Sequence, residues 1–154
     1  MTTTKPVLAH GTAIAVGPNA VLIRGRSGSG KSDLALRCLN LPIGPLVTDR
    51  VLLVADDQVA LEHDAMGLLV KSPAQIRGKI EVRGVGIVTV ETIEQARLCL
   101  VADLVAPGQI DRMPEPQMCD IDGVVVPRIL VAPFEASAPL KILLCLKRSV
   151  LRQR

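Results

Sequence analysis

The segment Gly25-Arg26-Ser27-Gly28-Ser29-Gly30-Lys31-Ser32 constrains this chain more than any other. It fits G-x-x-x-x-G-K-[ST], a loop whose backbone N–H groups point inward at phosphate oxygens. Such a loop needs a strand to feed it and a helix to leave it. Both are legible. Val21-Leu22-Ile23-Arg24 is short and β-rich, and Leu34, Ala35, Leu36 and Leu39 predict a short helix over Ser32–Leu39. That helix would turn its positive end toward the same anion. Within the loop, Gly25, Ser27, Gly28, Ser29 and Gly30 form the cradle. Lys31 reaches the outer phosphates, and the Ser32 hydroxyl is a ligand for Mg²⁺. The motif says nucleotide. It does not say which reaction.

The rest of the chain reads as many short strands and few helices. Thr12–Val16 and Val21–Arg24 flank the turn residues Gly17-Pro18-Asn19-Ala20, which predicts a hairpin. Val51–Ala55 is a continuous apolar run suited to a strand buried on both faces. Val59–Glu62 and Leu68–Lys71 flank a turn, and Ile80–Val82 and Ile87–Val90 flank Gly84-Val85-Gly86. Glu91–Arg97 reads as a helical turn before a strand over Leu98–Leu104, and 107–116 as loop. Val124–Val131 reads as a strand interrupted by Pro127. Ser137 can cap a last helix with Pro139 in its first turn. The expected fold class is α/β: one domain over residues 1–154, a central β-sheet carrying the phosphate loop, and few helices.

Val51-Leu52-Leu53-Val54-Ala55 runs straight into Asp56-Asp57. An apolar strand ending in an acid delivers a carboxylate to a phosphate-bound Mg²⁺. Two adjacent acids can divide the labour: one faces the metal, and the other accepts a proton from an incoming hydroxyl. The plain alternative is a solvated strand-to-turn transition, because Asp favours turns. His10, just before Gly11, is by itself an ordinary surface or packing residue.

Composition excludes several classes. The chain holds one Phe, no Tyr and no Trp, against 21 Leu, 19 Val, 11 Ile and 15 Ala. A nucleic-acid binder that stacks bases on aromatic side chains has almost nothing to stack with, and an aromatic membrane belt is impossible. The formal charge of +3 is unevenly placed. The last 19 residues hold Lys141, Lys147, Arg148, Arg152 and Arg154 and no acid, whereas the first 135 carry 13 basic and 15 acidic residues. A uniformly basic nucleic-acid surface is therefore not expected. Cys38, Cys99, Cys119 and Cys145 show no zinc-ligand spacing and read as reduced, inert thiols of a cytoplasmic protein. Met1–His10 has no apolar core of a signal peptide, and no membrane span is expected.

Four blocks in order then carry a resemblance. His10-Gly11 precedes the glycine loop by fifteen residues, followed by Val54-Ala55-Asp56-Asp57-Gln58-Val59 and by Ile80-Glu81-Val82-Arg83-Gly84-Val85-Gly86-Ile87. Together they resemble the HPr kinase/phosphorylase family, well over His10–Val90 and weakly through Val126-Pro127-Arg128-Ile129 into the last helix. The resemblance implies the fold of that family, shared with phosphoenolpyruvate carboxykinase, in its catalytic domain alone. It implies a kinase using ATP and Mg²⁺ to phosphorylate a serine of HPr, the phosphocarrier protein of the sugar phosphotransferase system. It also implies the reverse use of inorganic phosphate, releasing pyrophosphate, and a homo-oligomer, a hexamer in the family. Carried over by position, Asp57 would be the general base, supported by His10, with Lys31 on the phosphates. Asp56 and Ser32 would hold Mg²⁺, with Glu81 contributing. Arg83 would lie near phosphates or the partner, and Arg97 is a candidate for a further family arginine. The stretch Leu41–Arg50 is longer than in the family. With so few aromatics, adenine is expected on aliphatic and backbone contacts.

The residues alone leave two other classes open: a P-loop kinase of small metabolites, and a nucleotide-sensing scaffold without turnover. A metabolite kinase usually carries an arginine-bearing lid, and between Asp57 and Ile80 the only arginine is Arg77, with Lys71 and Lys79 beside it in sequence. The last helix, with Leu140, Leu143, Leu144, Val150 and Leu151 among its basic residues, admits three readings. It is a packing or oligomer helix, a patch for an acidic partner, or a membrane-surface helix.

Overall fold

Aliphatic, β-branched runs broken by turn residues favour strands, and strands dominate the computed structural model, which describes residues 7–152. In chain order they are β1 (Val7–His10), β2 (Thr12–Val16), β3 (Asn19–Arg24), β4 (Val51–Ala55), β5 (Gln58–Asp64), β6 (Gly67–Lys71), β7 (Lys79–Val82), β8 (Gly86–Thr89), β9 (Gln95–Leu104), β10 (Gln117–Ile121) and β11 (Val124–Val131). Helix α1 spans Lys31–Leu39 and α2 spans Ala138–Arg152. The α/β class and the scarcity of helices are as expected from the sequence.

Nine strands form one sheet in the order β1-β5-β6-β9-β3-β2-β4, with β11 and β10 branching from β9. Strand β9 makes the branch possible because it is ten residues long. On one side it runs parallel to β3, from Asn19↔Arg97 to Arg24↔Asp103. On the other side its first residues pair with β6 and its last with β11. Strands β7 and β8 form a separate hairpin.

The core lies on both faces of the sheet. Along β3, Val21 and Ile23 join one cluster with Leu34, Cys38, Ile80, Ile142 and Leu146, which brings α1, α2 and the β7–β8 hairpin onto that face. Ala20 and Leu22 join the opposite cluster with Val54, Val59, Leu61, Val70 and Val101. Both clusters are free of aromatic side chains. Helix α2 buries Ile142, Leu143, Leu146 and Ser149, one stripe at helical spacing, and leaves Lys147 and Arg148 exposed. Its packing within the chain agrees with the first of the three readings.

Three sequence expectations change. Glu91–Arg97 is not a helical turn. Leu53 N donates to Glu91 O at 3.3 Å and Ile93 N to Leu53 O at 3.0 Å, so the segment lies extended beside β4 and enters β9 at Gln95. Pro127 does not interrupt its strand. It faces Met118 of β10, one residue before the ladder to β9 begins at Arg128, where a missing N–H breaks no bond to β9. Strands β1 and β10 carried too little pattern to be read. Among the described residues no helix is long and apolar enough to cross a membrane.

Candidate functional site

The glycine loop leaves the end of β3 and enters α1 at Lys31. Gly30, the residue before the helix, has φ 101°, which an L side chain rarely adopts. A Cβ there would also sit 3.1 Å from the ring of Phe134. Leu34 N donates to Gly30 O at 2.9 Å, and Ser29 N to Arg26 O at 3.0 Å, so the loop closes on itself before the helix starts. Lys31 is buried, and its Nζ donates to Gly25 O and Arg26 O at 2.9 Å each. The ammonium is thereby held over the loop.

Beneath the loop, Arg24 donates twice to the Asp103 carboxylate, at 2.8 and 2.9 Å, and Arg128 donates to the same carboxylate at 2.5 Å. Burial pushes the Asp103 carboxyl up, but the two guanidiniums outweigh it and hold it below the usual carboxylate range. The lock ties the ends of β3 and β9, next to the loop, to the middle of β11.

The two acids after β4 point to different tasks. Asp56 is buried. Its Oδ1 accepts from Ser32 Oγ at 2.6 Å and from Thr12 Oγ1 at 2.9 Å, and its Oδ2 accepts from Glu81 N at 3.1 Å. It therefore joins α1, β2 and β7. Asp57 is the opposite: its side chain is 75% exposed and its φ is 68°. Gln58 N donates to Asp56 O at 2.8 Å and closes a three-residue turn around it, a tight and strained form when the central φ is positive. Gly11 N donates to Asp57 O at 3.0 Å. The His10 Nε2 lies 3.3 Å from Asp57 Oδ1, brought there because His10 pairs with Gln58 across β1 and β5.

A cavity of about 570 Å³ opens over these groups, lined by Ser27, Gly28, Lys31, Ser32, Asp57, Glu81, Arg83 and Phe134 among others. The structure thus gathers most of the expected site residues on one surface. Gly30 lines it as well, Asp56 reaches it through Ser32, and His10 through Asp57. Gly25 and Ser29 lie at the back of the loop, with a Cβ on Gly25 only 2.4 Å from Ser29 Oγ. Arg97 is elsewhere. It sits at the opposite end of β9 and donates to Asp64 at 3.0 and 2.5 Å, which lowers that carboxyl to about 2.

Three residues were missed. Thr12 is a fully buried polar residue in an otherwise apolar strand, which was a usable signal. Phe134, the only aromatic, stands beside the loop, where aliphatic and backbone contacts alone were expected. Arg37 of α1 donates to Pro133 O and, at 3.3 Å, to Glu135 O, and no sequence pattern announced that contact.

Ser32 Oγ and Asp56 Oδ1 are hard oxygen donors meeting at one point. Among the described residues no group of three or more His, Cys, Asp or Glu side chains could hold a metal alone. This donor set suits a Mg²⁺ that completes its shell with phosphate oxygens and water.

A strand–glycine loop–helix unit, with a buried acid at a nearby strand end touching the loop serine, places the chain in the P-loop class of α/β proteins. Comparison narrows the class. The profile of the HPr Serine kinase C-terminal domain family matches residues 2–133, and this chain belongs to that family. It is 36% identical over 148 residues to the HPr kinase/phosphorylase of Azoarcus sp. (strain BH72), covering 88% of this chain and 44% of that protein. The HPr kinase/phosphorylase of Listeria monocytogenes serotype 4a (strain HCC23) is 41% identical over 90 residues, 57% of this chain and 26% of the relative. The chain therefore spans less than half the length of these curated relatives. The fold matches a solved structure of the Hpr(Ser) kinase/phosphatase from Coxiella burnetii with a TM-score of 0.78 and 24% identity, covering 96% of this chain and 92% of that one.

Proposed function

We propose that this chain is a single catalytic domain that transfers the γ-phosphoryl group of ATP to a serine of HPr. The same site would run in reverse, with inorganic phosphate attacking phosphoserine to give pyrophosphate. The observation that carries the reading is the division of the adjacent acids: Asp56 is spent on Ser32, and Asp57 stands in the cavity beside His10.

In the forward direction the serine oxygen bonds to the γ-phosphorus, the bond to ADP breaks, and the serine proton passes to Asp57. In reverse, an oxygen of inorganic phosphate bonds to the phosphorus of phosphoserine. The serine oxygen then leaves with a proton from Asp57, which the attacking phosphate replaces, so the forward general base serves here as general acid. His10 orients the carboxylate. The transition state of phosphoryl transfer is loose, so charge neutralisation and positioning supply most of the rate. Lys31 would place its charge on the β- and γ-phosphates, and Arg83 adds a second cation at the cavity wall. Ser32 and Asp56 would hold Mg²⁺, with Glu81 close by on β7, and the ion would neutralise phosphate charge. We place the protein in the cytoplasm, where its four free thiols would stay reduced.

Incubation with ATP, Mg²⁺ and HPr should label one serine of HPr, and addition of phosphate to labelled HPr should release pyrophosphate. Asp57→Asn should lower both rates by at least about 10²-fold while leaving the circular dichroism spectrum unchanged. Absence of label on any HPr-like protein of the same cell, with ATP binding intact, would falsify the reading.

A further inference from the structure

A second cavity, of about 750 Å³, lies on the other side of the glycine loop. Its walls are the segment Leu104–Pro107 with Gln109, after β9, and the segment Ala132–Glu135, before α2, closed by Arg26 and Ser29 of the loop itself. The volume falls in the usual range for small-molecule sites, and Leu104, Val105, Pro107 and Pro133 make the walls mainly apolar. Phe134 lines this cavity and the phosphate cavity alike.

Phe134 is oddly placed for a structural residue. It is the only aromatic in the chain, both core clusters do without it, and it is 75% exposed. Yet it is not loose. Arg37 donates to Pro133 O and Glu135 O, the carbonyls on either side of it, and Glu135 N donates to Ala132 O at 3.4 Å. The ring rests against Gly30, where a Cβ would come within 3.1 Å. So a solvent-facing aromatic, carried on a hydrogen-bonded backbone segment, stands between a polar cavity and an apolar one. Ser29 lines the apolar cavity, while its Oγ is buried against Gly25 and has no hydrogen-bond partner among the described residues.

We propose that this second cavity holds the base and ribose of the nucleotide whose phosphates lie on the glycine loop, with Phe134 as the stacking platform for the base. The proposal rests on the nucleotide reading above and adds where the base goes. Two observations commit the cavity to that occupant. It adjoins the phosphate cavity across the shared Phe134 side chain, and its chemistry is the complement of a flat, apolar, π-faced group. Stacking is tolerant of base identity because every base has a π-face.

The absence of Trp and Tyr makes the test clean. In Phe134→Trp, the sole tryptophan should be quenched saturably by ATP and ADP, and inorganic tripolyphosphate should leave its emission unchanged. Phe134→Ala should weaken ATP binding about tenfold and leave tripolyphosphate affinity within about twofold, measured by calorimetry. The phosphate arm has its own control: Lys31→Ala should weaken both ligands. If wild-type protein binds both ligands, Lys31→Ala loses both, and Phe134→Ala changes neither or changes both equally, the base site is wrong while the nucleotide reading stands. If wild-type protein binds neither ligand, both are overturned.

Discussion

Asp57 holds a left-handed backbone, with φ 68°, in the middle of a three-residue turn. For an L residue other than Asn or Asp that conformation costs about 1–2 kcal/mol. The turn swings the Asp57 carboxylate away from its neighbour Asp56, so local strain is what separates two side chains that are adjacent in sequence. Stability and activity should therefore part at this position. Asp57→Gly is expected to keep or slightly raise stability, Asp57→Ala to lower it by about 1 kcal/mol, and both to lose transfer to HPr. Urea unfolding beside the labelling assay checks this. The thiols differ in the same local way. Burial pushes Cys38 up to about 12 and raises Cys99 as well. A thiol reagent at pH 8 should leave both untouched in the folded protein and reach them only on unfolding, read by mass spectrometry.

At the scale of elements, the cradle depends on strand ends being held in register. Asp103 receives both Arg24 and Arg128, one from β3 and one from β11. Its lowered carboxyl stabilises the fold fully above the ordinary carboxylate value of about 3.9, and that contribution is lost as the pH falls through its lowered value. Asp103→Asn should cost about 2 kcal/mol at pH 7 and flatten the stability loss below about pH 4, measured by urea unfolding across that range. Gly11 plays a steric part at the β1–β2 junction. A Cβ there would lie 2.7 Å from Ile23 O, a backbone atom of β3 that cannot step aside. Gly11→Ala should cost about 1–3 kcal/mol and displace His10 from Asp57. Transfer should therefore fall more than ATP affinity, a split that kcat and KM would report.

For the molecule as a whole, binding and folding are linked. A ligand that binds only the folded state at a hundred times its Kd adds about 2.7 kcal/mol. For a chain of this size that is a rise in Tm of about 5–10 °C. Mg²⁺ and ATP together should produce it in the wild type, and Lys31→Ala should remove it, as differential scanning fluorimetry would show. The distribution of charge belongs to this scale too. Helix α2 spends its apolar stripe on β9, β11, β3 and α1 and keeps Lys147 and Arg148 on the outside. The basic end is thus a surface of the folded domain, opposite in charge to the slightly acidic remainder.

What the sequence determined alone was local. The glycine loop, the strand before it and the helix after it were legible because each depends on neighbours within a few residues, and β4 was legible because its apolar run is unbroken. The aliphatic composition likewise settled that the core would be sheet-borne and free of aromatics. Tertiary structure decided the rest, because the deciding bonds join residues far apart in the chain. Glu91 and Ile93 are extended only because Leu53 offers them its backbone. Thr12 enters the site through Asp56, forty-four positions away. His10 meets Asp57 through the pairing of β1 with β5, a register invisible in four residues of weak pattern. Phe134 reaches the loop because Arg37 of α1 clamps the segment that carries it, and no local spacing encodes that clamp.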